Sequence, residues 1–121
     1  MPIHAKRVYD DANATDGQRL LVMRLWPRGV RKERVDAWDK GLAPTRELLT
    51  DFQYGTIDWP EYARRFALEM AERPDSIESL ANLRERAATE TITVLCSCKD
   101  ESRCHRTLLQ ELVDDPFPVS S

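Results

Sequence analysis

Apolar positions along the chain follow two periods. Short aliphatic or β-branched runs predict strands at Ile3 to Tyr9, which ends at Asp10-Asp11, and at Arg19 to Leu25, after the turn pair Asp16-Gly17. Thr91 to Leu95 is the clearest strand of the three. Elsewhere apolar residues recur three or four apart, as one face of a helix requires. Thr45 can cap a helix whose apolar side is Leu48, Leu49 and Phe52, ending before Gly55. Asp58 and Trp59-Pro60 open the next, with Tyr62, Phe66 and Met70 on one stripe, running to about Arg73 before Pro74 stops it. Asp75 or Ser76 caps a third, with Ile77, Leu80, Ala81 and Ala87 or Ala88 inward. His105 to Val113 is the last, burying Leu108, Leu109, Leu112 and Val113. Lys32 to Leu42 has Val35, Trp38 and Leu42 at helical spacing, but Gly41 and Pro44 close it quickly. That predicts an irregular connection with about one turn of helix.

Strands joined through helices predict an α/β fold, a small and mainly parallel sheet covered by helices with right-handed crossovers. At 121 residues it is a single domain, expected to span 1–114 with a frayed tail at 115–121. Hydrophobic residues make up 41% and charged residues 32%, and no apolar run is long enough to span a membrane. The amino terminus lacks the apolar segment of a secretory signal, so the expected location is the cytoplasm. Three cysteines within nine positions suit thiols or ligands in a reducing compartment better than a disulfide framework.

The net charge of −3 hides an asymmetry: Arg24, Arg28, Arg31, Lys32 and Arg34 face Glu33 alone, which leaves the remaining chain acidic. A local basic patch in an acidic chain points to a small anionic ligand more than to a nucleic acid, which usually asks for a broader positive face. A solvated loop of charges is the other reading.

All three cysteines and one of the two histidines fall between Cys96 and His105, after the strand Thr91 to Leu95 and at the start of the last helix. Ligands bind α/β proteins at the carboxyl ends of strands. Cys96, Cys98, Cys104 and His105 are donors that zinc or iron accepts, though no cofactor is firmly implied. Against a metal, C-x-C followed by adjacent Cys-His departs from the usual pairs, and neighbouring helical residues point about 100° apart. Cys96 as a small buried hydrophobe is the plainer alternative. With Asp100 or Ser102 as cap, Cys104 would lie in the first helical turn beside Arg103, His105 and Arg106, where amide N–H groups and cations favour a thiolate. A bound anion held by Arg106, Arg24 or Arg28 would relieve the crowding of cations there. Ion pairs with Asp100 and Glu101 would do the same.

Familiar signatures are absent. A cysteine-dependent phosphatase loop needs C-x5-R, and Arg103 comes one position too early from Cys98 and one too late from Cys96. There is no C-x-x-C and no Gly-rich phosphate loop. Asp16, just before the second strand, and Trp26, between Arg24 and Arg28, complete the candidates for a ligand pocket; Trp26 serves core packing equally well.

Lys6-Arg-Val-Tyr-Asp10, Asp16-Gly17, Arg24-Leu-Trp26-Pro-Arg28-Gly29, Trp38-Asp39-Lys40 and the run from Cys96 to Arg106 resemble the YeaO-like branch of domain-of-unknown-function family 488, over nearly the whole chain. The resemblance implies that Arg24, Pro27 and Arg28 pair functionally with Cys104, His105 and Arg106. The expected function is a pocket for an anionic or phosphorylated small molecule, with Arg24, Arg28 and Arg106 on the anion, His105 as acid or base and Cys104 as nucleophile or supporting thiol. A metal or thiol redox sensor using Cys96, Cys98, Cys104 and His105 is the alternative, and a nucleic-acid module using Arg24 to Arg34 a third.

Overall fold

Residues 3–97 and 104–114 are described by a computed structural model. Cys98, Arg103, the expected caps Asp100 and Ser102, and the tail at 115–121 lie outside them. Four parallel strands, β1 (His4–Arg7), β2 (Gln18–Leu21), β3 (Ala37–Trp38) and β4 (Ile92–Cys96), lie in the order β1-β4-β2-β3. Helices α1 (Arg46–Gln53), α2 (Trp59–Glu72) and α3 (Pro74–Ala87) separate β3 from β4, and α4 (His105–Asp114) follows β4.

The strand order explains where the helices lie. The chain moves in one direction across the sheet from β1 to β2 to β3, then back to β4. If every crossover has the usual right hand, the first two connections cover one face and the α1–α3 connection covers the other. The core is divided that way. Leu20, Val22, Ile92 and Val94 pack with Leu48, Phe66, Leu83 and Leu109 from the four helices. Leu21, Leu95 and Val8 pack instead with Val30, Met23, Trp26 and Val35, to which none of the helices contributes. The sheet is thus covered by helices on one face and by connecting segments on the other.

The expected elements are recovered with informative differences. β1 stops at Arg7 because Asp10 folds back, its carboxylate accepting from the Arg7 amide and its own amide donating to the Arg7 carbonyl, both at 3.0 Å. β2 stops at Leu21, well short of Leu25. The Met23 carbonyl accepts from the Trp38 indole at 2.7 Å, so a side chain takes the acceptor that a strand neighbour would have used. The Lys32 to Leu42 connection contains β3, whose two residues are too few for any alternation to register, flanked by 3-10 turns at Lys32–Arg34 and Lys40–Leu42.

Pro74 does not separate two helices by a loop: it is the first residue of α3, with Arg73 alone between α2 and α3. The inward face of α3 also differs from the expected one. Ser76, Leu80, Leu83 and Ala87 point inward, while Ile77 and Ala81 are exposed. The Thr45 and Asp58 caps form as expected, accepting from the Leu48 and Glu61 amides. Thr45 also donates from its amide and hydroxyl to the Glu69 carboxylate, at 2.9 and 2.5 Å, which fastens the start of α1 to α2.

Candidate functional site

β2 and β4 are neighbours whose onward connections leave to opposite faces, which makes their carboxyl ends a topological switch point, the usual place for a ligand crevice in a parallel sheet. A cleft of about 290 Å³ opens there. Its walls come from Met23, Arg24 and Leu25 beyond β2, and from Arg46, Leu49 and Gln53 of α1. Cys96, Ser97 and His105 form its inner end.

Three buried side chains meet at that end. His105 Nδ1 lies 3.9 Å from Cys96 Sγ and 3.8 Å from Cys104 Sγ, and the three donor atoms are all within 4.8 Å of one another. On its other side, His105 Nε2 lies 2.6 Å from the Val22 carbonyl oxygen. A carbonyl can only accept, so Nε2 carries a proton, and Nδ1 is the ring nitrogen that faces both sulfurs. Phe66 packs against the imidazole at 5.7 Å. A histidine oriented this way by a backbone carbonyl is how proteins prepare an imidazole as a metal ligand or a proton acceptor. Two sulfurs and one nitrogen suit zinc or iron.

The spacing argument against a metal fails for a local reason. Cys104 is not a helical residue. It precedes α4 and accepts from the Thr107 amide at 3.1 Å, so the rotation between successive helical side chains does not separate it from His105. For the same reason it does not sit in the first turn of the helix.

The other candidates are dispersed. Arg24 lines the cleft, but its guanidinium also donates to the carbonyls of Pro44 and Ala43, at 2.8 and 3.3 Å. Arg106 is 1% exposed and donates to the Cys96 carbonyl at 3.3 Å, behind the cleft end. Arg28 is exposed and does not line the cleft, and its carbonyl accepts from the Tyr9 hydroxyl. Trp26 packs edge-on against Trp38 at 5.4 Å, donates to the Val30 carbonyl, and belongs to the face without helices. Asp16 lies before the amino end of β2, the opposite end of the sheet from the cleft, and is paired with Arg19 at 2.5 Å and Lys6 at 3.2 Å. Burial alone would raise its carboxyl, but the Asn13 amide, Arg19 and Lys6 outweigh this and hold it below the usual carboxylate range.

Sequence reasoning missed the α1 wall and the Val22 carbonyl. The wall had a signal: Arg46, Thr50 and Gln53 stand at helical spacing on the side away from Leu48 and Phe52, and all three line the cleft. A backbone carbonyl leaves none.

Fold and cluster together define a small parallel α/β protein with buried thiols and an imidazole gathered at a switch-point cleft. The chain belongs to the DUF488 family: residues 3–116 match the model described as the active DUF488-N3 subclade. It is 35% identical over 113 residues to the uncharacterized protein YeaO of Escherichia coli (strain K12), covering 92% of this chain and 96% of that one. It is 32% identical over 114 residues to the uncharacterized protein Rv3073c of Mycobacterium tuberculosis (strain ATCC 25618 / H37Rv), covering 93% of each. No solved structure matches the chain. Among the described residues no helix is long and apolar enough to cross a membrane.

Proposed function

We propose that the cleft binds a small anionic molecule, carboxylated or phosphorylated, and holds it against the thiol and imidazole groups at its inner end. The observation that carries this reading is the composition of one cleft, with the cations Arg24 and Arg46 on its walls and Cys96 and His105 at its end. Arg24 is braced by backbone carbonyls, so its charge is held in place before any ligand arrives. Arg106 adds positive charge from behind Cys96. The reducing cytoplasm would keep the thiols available.

Isothermal titration with inorganic phosphate and a panel of phosphorylated and carboxylated metabolites tests it. Arg24→Ala and Arg46→Ala should each weaken the best ligand about tenfold or more with the fold intact, as expected for a charge-assisted contact. Unchanged affinity in both would refute the anionic cleft.

A second reading has its own support in the convergence of Cys96 Sγ, Cys104 Sγ and His105 Nδ1: these three hold zinc or iron, and a fourth donor comes from solvent or ligand in the cleft. Elemental mass spectrometry of untagged protein purified without chelator decides it. About one metal per chain, lost in Cys96→Ser, supports a metal centre. No metal, with the thiols still titratable, removes it.

A further inference from the structure

The two sulfurs beside His105 differ in one respect: Cys96 lines the cleft, and Cys104 does not. Cys96 closes β4 and shares the helix-covered side of the sheet with Val94 and Ile92, two and four residues before it. α1, the far wall of the cleft, lies on that side. The Cys96 backbone is fixed, since its carbonyl accepts from the Val8 amide at 2.9 Å and from Arg106 at 3.3 Å. Its side chain is therefore presented to the cleft from a rigid strand end; the two cysteines are equally buried, at 2% and 1% exposed, and both face His105 Nδ1, so what separates them is that Cys96 lines the cleft and Cys104 does not.

We propose that Cys96 is the thiol that attacks an electrophile in the cleft, and that the electrophile is a small anionic molecule with a reactive carbon. This rests on the reading of the cleft as an anion site and adds which sulfur acts and what it attacks. The Cys96 S–H proton passes to His105 Nδ1, which faces it while Nε2 donates to Val22. The sulfur forms a bond to the carbon, and the carbon's bond to its leaving group breaks, the electron pair departing with that group. Arg24 and Arg46 hold the anionic end of the molecule.

The sequence pattern favours Cys104 through the start of α4, and the structure places it immediately before that helix, outside the cleft lining. Arg24 lines the same cleft as Cys96, and Cys104 is not among the lining residues.

The test is alkylation of the full chain after chelator treatment and buffer exchange, with iodoacetate and with iodoacetamide, each cysteine being quantified separately by tandem mass spectrometry. Each reagent forms a sulfur–carbon bond and releases iodide. In the folded protein Cys96 should react about tenfold faster than Cys104, and the difference should vanish in guanidinium. Cys98 is quantified but does not enter that ratio. Iodoacetate should be favoured over iodoacetamide at Cys96 relative to the denatured chain, and Arg24→Ala should reduce this preference. Cys104 reacting as fast as Cys96 overturns the proposal, as does labelling of Cys96 only on unfolding. Cys96 reacting first without preference for iodoacetate upholds the sulfur assignment and overturns the anionic cleft, so the two failures are distinguishable.

Discussion

The imidazole of His105 donates from Nε2 to the carbonyl oxygen of Val22 at 2.6 Å, joining the first residue of α4 to the residue that follows β2 across 83 positions of sequence. Both groups are buried. Replacing the ring with a side chain that cannot donate leaves a buried carbonyl without its partner. His105→Leu should therefore lower unfolding stability by about 2 kcal/mol, read from urea midpoints at constant slope. A loss within error of zero would mean that the bond orients the ring without stabilising the fold.

Asp16 predicts a pH dependence. Its carboxyl is lowered in the folded chain, so its contribution is complete above the ordinary aspartate range near 4 and is lost as pH falls through the folded value. Asp16→Asn removes the partner of the largely buried Arg19 and of Lys6, at a cost of about 3 kcal/mol at neutral pH. The gap between variant and wild type should narrow on acidification. A gap that stays constant between pH 7 and 3 would show that the loss comes from packing and not from charge.

Two glycines with similar φ angles should respond differently to alanine. Gly17 has φ +65°, and a Cβ there would fall 2.1 Å from the Thr91 carbonyl oxygen, a backbone atom that cannot swing aside. Gly29 has φ +78° and open space around the same position. Gly29→Ala should cost about 1 kcal/mol, the penalty of left-handed backbone alone. Gly17→Ala should cost several times more or prevent folding. Thermal melts of the two variants side by side check this, and equal losses would contradict it.

Phe66 links the helical core to the site. It is fully buried, stacks against Tyr62 and contacts the His105 ring. Phe66→Ala should cost about 3–5 kcal/mol, as expected for a buried aromatic that leaves a cavity. If the ring also steadies His105, Phe66→Leu should retain most of the stability and broaden the His105 imidazole signals in NMR. Unchanged signals would confine Phe66 to packing.

Much of this fold could be read from the residues, and the exceptions have causes. Tyr62, Phe66 and Met70 declared α2 because their spacing is helical, and Thr45 and Asp58 marked helix starts because their oxygens have amides to accept from. β3 escaped because two residues cannot show a period. The face of α3 was misjudged because Leu80 and Ala87 fit two neighbouring stripes, and the one that packs inward carries Ser76 and Leu83 in place of Ile77 and Ala81. At the site, Cys96, Cys104 and His105 stood out by residue type, and the structure brings them together. Their distribution about the cleft depended on two things outside side-chain pattern: the start of α4 falling one residue after Cys104, and a carbonyl of Val22.

The shortness of β3 also bears on how the molecule meets its neighbours. An edge strand is an open row of amides and carbonyls onto which a strand from another chain can zip, and long, flat, apolar edges invite fibrils. Here the outer border of the sheet on that side is only Ala37 and Trp38, and the Lys40 ammonium lies 4.5 Å above the Trp38 ring. A visiting strand would find almost no ladder to extend. The two-residue length that hides this strand from pattern reading is also what leaves that edge so little to pair with.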